Sequence, residues 1–332
     1  MSKEKATKSI GSQLLKKYGI GLVLVALLVI GSITVPGFLS IKNVTNVLRQ
    51  ISVTGILALA EGILIISGQI DLSVGSVVAL SGMVSVQVYL KSGSLLLGVL
   101  VAILISAVVL MASGVLVAKV KLTAFIATMA MDYIARGLCY IYTNGQATYE
   151  IGNYNVISTT YVGAIPVPVI VLLVCCVVMA IILNKTTLGR DVFAVGGNQA
   201  AANASGIIVD RTIIKTFLVA GILTGVAAVL QIARVNSAIP STADGYHGDA
   251  IAAAVIGGVS FTGGIGTVSG TIAGAFIIGF LENVMNLLGV NSYIQQIIEG
   301  AIIVLAVAFD VVSKSKKSRK VIIVKDESKE SK

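Results

Sequence analysis

Tryptophan is absent from the 332-residue chain, proline occurs four times, cysteine three times and histidine once. Charged residues make up only 12% and aromatic residues 5%, against 56% hydrophobic residues and a mean hydropathy of +0.98. An ordinary soluble domain carries roughly 25% charged residues, so the deficit excludes that class and places the chain in a membrane. Cys139, Cys175 and Cys176 lie in apolar runs, and with the lone His247 they form neither a disulfide framework nor a metal-ligand spacing. They read as packing residues, and no metal is expected. His247 alone cannot complete a nucleophile and base pair, so no catalytic residue is assigned and the chain is not read as an enzyme. The pattern G-x-x-x-x-G-K-[ST] is also missing, so the chain has no phosphate cradle of its own and no bound cofactor is expected. A net charge of +9 would fit nucleic acid only if Lys and Arg clustered among aromatics. They sit in the tails and short loops instead, and nucleic acid is not an expected partner.

What the chain has in quantity is long apolar runs. A hydrocarbon core of about 30 Å takes about 20 apolar residues per helix. Runs near 19–36, 50–68, 74–90, 94–118, 122–143, 164–183, 212–233, 251–262, 267–283 and 293–312 predict an all-α polytopic protein of about ten transmembrane helices, some short or broken. One membrane domain over 19–312 therefore separates an N-terminal tail, 1–18, from a charged tail, 313–332. The first run has a basic flank but no A-x-A-like cleavage site, so it is expected to stay as a signal-anchor helix. With ten crossings, most of the 24 Lys and Arg fall on the side of both termini, leaving Lys42, Arg49, Lys91 and Arg234 opposite and Arg136 within a span. That bias places the termini and the loop 184–211 in the cytoplasm.

Between Ala250 and Gly270 the sequence AIAAAVIGGVSFTGGIGTVSG is too rich in glycine for two ordinary spans. Half-length or re-entrant helices are expected there, or helices packed closely through small residues. GQIDLSVGS, from Gly68, echoes GGIGTVSGT, from Gly263, with Gly, Ile and Gly shared at the first, third and eighth positions. Transporters are often built from such repeats.

The long polar segment inside the chain, GRDVFAVGGNQAAANASGIIVDR from Gly189 to Arg211, predicts one short helix off the membrane. Asn198 is a good N-cap, alanines follow, and Gly206 stands where the helix should stop. About two turns are not stable alone, so something must pack against it: the bundle itself, or a cytoplasmic subunit docked on it.

Asp71, after the glycine-bearing stretch, reads either as a helix N-cap using the amides of Ser73 and Val74 or as a pathway residue, because a carboxylate at membrane depth needs a reason. Asp132 and Arg136, four apart, share a helical face and are expected to neutralise each other within the bundle, or to line an ion pathway. Glu61, Glu282 and Glu299 are expected to face protein or an interfacial layer, with no spacing that makes a proton relay. Two polar stretches, TNGQATYEIGNYNVISTTY from Thr143 and VNSAIPSTADGYHGDA from Val235, lie on the outer side as connectors, as a cover over a pore mouth or as a meeting surface for a soluble partner.

From about Phe38 to Asp310, SGQIDLSVGSVVALSG, FIATMAMDYIARGLCYIYTNG, LGRDVFAVGGNQAAANASGI, DAIAAAVIGGVSFTGGIGTVSGTIAGA and NLLGVNSYIQQIIEGAIIVLAV follow one another in a known order. In this the chain resembles the permeases, the membrane subunits, of ribose-type ABC importers. The resemblance implies a multi-pass protein of the bacterial plasma membrane that works as a homodimer, with a cytoplasmic ATPase subunit and an extracytoplasmic sugar-binding protein as partners. It implies alternating access for a monosaccharide such as ribose, with a nucleoside or a sugar-like signalling molecule as the alternative cargo. A proton-coupled carrier is the rival from another class, for which Glu61, Asp71 and Asp132 are the candidate residues. Carried over residue by residue, the ATPase-docking positions are Gly189, Arg190, Gly196, Gly197, Asn198, Ala201, Ser205 and Gly206. Asp71, Ser73, Asn144 and Asp249 are the translocation-pathway candidates. The scarcity of aromatic faces favours transient passage over a tight sugar pocket. The chain departs from the family at Gln69, commonly glycine there, and at His247 and Gly248, usually Glu and Leu, while Asp249 is kept.

Overall fold

The computed structural model describes residues 21–308. The tails 1–18 and 313–332 lie outside the described residues. Among the described residues, seven helices are long and apolar enough to cross a membrane: α2 (Ile41–Ile66), α3 (Val74–Ser92), α4 (Leu95–Val115, running on to Val120 through a π-helical turn), α5 (Ala124–Thr143), α7 (Val167–Lys185), α10 (Val209–Val235) and α12 (Val268–Leu287). Shorter apolar helices are α1 (Gly21–Thr34), α11 (Tyr246–Ile256) and α13 (Ser292–Ala308). The small α6 (Val156–Thr159) and a two-residue hairpin, β1 (Tyr161–Val162) with β2 (Ile165–Pro166), fill one connection. Polar helices α8 (Thr187–Gly197) and α9 (Gln199–Ala204) fill another. Each of the ten predicted runs thus contains a helix.

Burial separates centre from rim. Of the most apolar window of α2, 89% is buried, against 28% for α7 and 22% for α5, so α2 is the axis and the other two turn most of their surface away from the bundle. From Ile51 to Ile66 every residue of α2 is buried, as expected for a helix apolar all round. Helices α7, α10, α11 and α12 pack around it.

Lipid offers no hydrophobic drive between helices, so close approach through small residues carries the packing. On α10, Gly221 and Gly225 lie against the backbone of α4, where an added Cβ would sit 2.7 Å from Ala107 Cα and collide with Ser106 Oγ. On α12, Gly270 and Gly274 meet the carbonyls of Gly257 and Ala253. The expected close packing and the expected half-length helix therefore occur together.

That half-helix corrects one boundary. The eighth run was expected at 251–262; α11 instead begins at Tyr246 behind Gly245 and stops at Ile256. Gly258, at φ +88°, turns the chain there, with the amide of Val259 donating to Ala254 O at 3.0 Å. The preceding segment, 236–245, is irregular yet reaches into the bundle, where the Ala243 carbonyl abuts Gly75 in the first turn of α3. Arg136 satisfies this backbone, donating from Nη1 to Pro240 O at 2.6 Å and to Thr242 O at 3.1 Å. The expected Asp132–Arg136 pair does not form: the ion-pair partner of Arg136 is Asp244, at 4.0 Å. Irregular carbonyls inside a bundle need donors, and a guanidinium supplies several in a fixed fork.

Candidate functional site

The polar segment folds as two helices where one was expected. Thr186 opens α8, its Oγ1 accepting from the Gly189 amide at 3.2 Å. Val192 and Val195 turn α8 against the bundle and are fully buried. Its signal is present in the sequence, since Leu188, Val192 and Val195 follow the i, i+4, i+7 spacing of an amphipathic helix. After it, Asn198 Oδ1 accepts from the Ala201 amide at 3.0 Å and starts α9, as expected of a cap. Gly206, at φ +85°, ends it, and the Ile207 amide closes back on Ala202 O at 3.0 Å.

The two-helix segment touches both interruptions of the membrane helices at one residue, Gly196. A Cβ there would collide with the carbonyl of Ile66, at the end of α2, and sit 2.8 Å from Gly264 N. Gly264 donates its amide to that same Ile66 carbonyl at 2.8 Å. Gly263, at φ +83°, packs on the Gly196 backbone, and Gly68, at φ +77°, faces Gly196 Cα. The end of α2, the last turn of α8 and the loop between α11 and α12 therefore meet backbone to backbone. The two stretches that echo each other in sequence both lead into a helix and both reach Gly196. The sequence register is one residue out at the helix starts, pairing Ser73 with Val268 where the structure pairs Val74 with Val268.

The eight residues carried over for docking divide into two sets. Gly189 and Gly196 face inward, the first against the carbonyls of Ile182 and Leu183. Arg190, Gly197, Asn198, Ala201, Ser205 and Gly206 are exposed, and only Ala202 of α9 is buried. Beside them, Lys119 and Lys121 hold Asp210 at 3.3 and 2.6 Å. A cavity of about 450 Å³ runs between Gln199, Lys121, Phe261 and Gly68.

The pathway candidates are scattered. Asp71 and Ser73 are both fully buried in the α2–α3 break, with Asp71 Oδ1 accepting the Ser73 amide at 2.7 Å and the Ser73 hydroxyl at 2.6 Å. This is a turn two residues long; the N-cap position of α3 is Ser73 itself, so the expected cap on Ser73 and Val74 is met only at the first amide. Asn144, at φ +51°, ends α5 and is exposed. Asp249 is half-buried and joins Glu282 of α12 and Glu299 of α13, whose carboxylate oxygens lie within 4.8 Å of one another. Among the described residues this trio is the one group of acidic side chains near enough to hold a cation, and no sequence spacing reveals it because it draws on three helices. Gln50 of α2 donates to Glu282 Oε2.

At the far end, the two outer stretches are tied together: Thr148 and Ala238 exchange amide and carbonyl bonds at 2.8 Å. Tyr154 anchors the first of them, its hydroxyl 2.6 Å from Ser85 Oγ. Burial pushes this phenol up to about 12, the serine bond working the other way, so it stays protonated. Of the family departures, Gln69 is buried without a positive φ, so its backbone does not require glycine. A Cβ on Gly248 would meet Ile303 Cδ1 at 3.5 Å, ordinary contact.

A family profile described as "Branched-chain amino acid transport system / permease component" matches residues 43–307. The ribose import permease protein RbsC of Escherichia coli K12 is 39% identical over 294 residues, covering 87% of this chain and 92% of that protein. The protein of the same name from Bacillus subtilis 168 is 38% identical over 299 residues, 89% and 93% of the two chains. The L-arabinose transport system permease protein AraH of Escherichia coli K12 is 35% identical over 295 residues, 89% and 90%. No solved structure matches.

Proposed function

This chain belongs to the family of transport-system permease components, and from that premise we propose that it passes a monosaccharide of the ribose class across the bacterial plasma membrane as the membrane subunit of an ATP-driven importer. It is a multi-pass transport subunit, and the hydrolysis of ATP falls to a separate chain. The observation that carries the reading is the seat of Gly196: an exposed, capped helix is continuous with a segment in backbone contact with both helix interruptions. Force applied to α9 by an ATPase docked over Arg190, Gly197, Asn198, Ala201, Ser205 and Gly206 reaches Ile66, Gly263 and Gly264 without passing through a flexible side chain.

Two copies, each with one such segment, match an ATP motor that closes as two halves. Closure draws the segments together and reorients the bundles around the path between them. At the other end, the tied stretches around Thr148 and Ala238 form the surface for a sugar-binding protein. The names of the relatives support a pentose as cargo.

Deleting Asn198–Ser205 tests the docking role. The truncated protein is expected to insert in the membrane and to lose co-purification with its ATPase; an unchanged pull-down overturns the assignment. Vesicles holding the permease and ATPase, supplied with the binding protein, are expected to take up labelled ribose only with ATP. Uptake driven by a proton gradient without ATP would show a carrier of the other class.

A further inference from the structure

The break between α2 and α3 buries two carboxyl groups, the pathway candidate Asp71 and, beside it, Glu61. Glu61 is 1% exposed and Asp71 0%. They are adjacent, since Glu61 Oε2 accepts the backbone amide of Asp71 at 3.4 Å. Oδ1 of Asp71 is occupied by the two bonds from Ser73. The remaining oxygens, Glu61 Oε1 and Asp71 Oδ2, are shut off from solvent and accept no hydrogen bond. No ion pair among the described residues involves either group. The further titratable group that acts on Asp71 is Asp132 of α5, another acid.

Two ionised carboxylates cannot face each other in this setting without a compensating positive charge. We propose that Glu61 and Asp71 form a binding site for a single proton, carried on Glu61. The proton removes one of two buried charges and turns an oxygen without a partner into a donor, and buried polar atoms are nearly always paired. The division between the two follows from their partners. Asp71 receives two short bonds that favour its ionised form, while Glu61 receives one long amide bond. A carboxyl pair sharing one proton is the known solution when like charges lie this close. A metal cation fits worse, because hard cations take six or more oxygens and here N–H and O–H groups of residues 71 and 73 already point at the pair.

The proton comes from water as the chain folds and is not consumed. Its effect is to tie Asp71, in the break, to α2 about one and a half turns above the Ile66 carbonyl on which Gly196 rests. The site therefore holds the geometry of the contact through which the docking segment reaches the bundle.

Infrared difference spectroscopy on the purified full-length protein at neutral pH tests this. The wild type minus Glu61→Gln spectrum is expected to show one protonated-carboxyl stretch; its absence overturns the proposal. Gln is neutral and keeps an acceptor for the Asp71 amide, so Glu61→Gln is expected to keep the wild-type melting temperature, whereas Glu61→Leu, which leaves that amide without an acceptor, lowers it. Failure of Glu61→Gln to fold, or equal damage from both variants, counts against the site. A wild-type melting temperature that rises when choline chloride is replaced by sodium chloride, and does not in Glu61→Gln, would replace the proton with a cation.

Discussion

The chain interrupts its membrane helices twice beside the same glycine, and the two interruptions are made of different chemistry. Between α2 and α3, backbone bonds such as Gln69 N on Leu64 O at 2.9 Å are joined by buried side chains from two elements: Ser67 Oγ donates to Leu64 O at 2.8 Å, Thr128 Oγ1 accepts from Leu72 at 3.1 Å, and Asp71 takes both donors of Ser73. Between α11 and α12 the side-chain bonds are local, Ser260 Oγ accepting from Thr262 N at 3.2 Å and Thr267 Oγ1 from Gly270 N at 3.1 Å, and the contact with the rest of the bundle is made by backbone, Gly264 N donating to Ile66 O at 2.8 Å. A break of the first kind is specified by which side chains are present. A break of the second kind is specified by the absence of Cβ atoms, because the strands of backbone approach to contact.

The largest effect should come from the residue both breaks share. Gly196→Val places branched carbons against the Ile66 carbonyl and the Gly264 amide, backbone atoms that cannot swing aside. Overpacking of this kind costs about 1–3 kcal/mol or more. ATP-dependent sugar uptake is expected to be abolished and the melting temperature to fall. Gly197→Val is the paired control, since nothing lies within 4 Å of its Cβ, and it should leave the melting temperature unchanged. Equal loss of stability in both variants would mean that the Gly196 seat is not what separates them.

The second comparison sets the breaks against each other. Gly68 and Gly263 both sit at positive φ, so alanine at either position pays the left-handed penalty of about 1–2 kcal/mol. At Gly68 the nearest atom, Gly196 Cα, is 3.8 Å from the added carbon; at Gly263 the Gly196 carbonyl carbon is 3.1 Å away and its oxygen nearer still. Gly263→Ala is therefore expected to lower the melting temperature more than Gly68→Ala, and to lower uptake more. The reverse order would show that the side-chain-built break is the less tolerant of the two.

Much of this was readable in advance wherever local chemistry decides. Long apolar runs placed the membrane helices, and Asn198 and Gly206 bounded α9 because a cap and a left-handed glycine act within a few residues. The glycine density after Ala250 announced a broken helix, though its start fell at Tyr246 because Gly245, not the hydropathy, fixes it. What could not be read depends on distant parts of the chain. Arg136 turned from Asp132 to the carbonyls of Pro240 and Thr242, and Glu61 came to face Asp71 across a break. The carboxylates of Asp249, Glu282 and Glu299 met from three helices. The echo between the breaks is one residue out of register because α12 starts five residues after Gly263 whereas α3 starts six after Gly68.

The smallest effect is expected at Asn198, where the docking segment leaves the shared glycine. Its side chain contributes one hydrogen bond to α9, and Asn198→Ala removes a cap worth typically about 1 kcal/mol, whereas Asn198→Gly costs only a few tenths. Helix α9 holds to the bundle through Ala202 alone, so the loss should stay local and the global melting temperature should not move. About 1 kcal/mol is roughly a fivefold change in the local open fraction. Amide exchange over residues 199–204 is therefore expected to accelerate about fivefold in Asn198→Ala and hardly at all in Asn198→Gly, with ATPase co-purification weakened in the same order. Unchanged exchange in the alanine variant would mean that packing on Ala202, rather than the cap, holds α9 in shape, and the docking segment would then be as dependent on the bundle as the two breaks beside it.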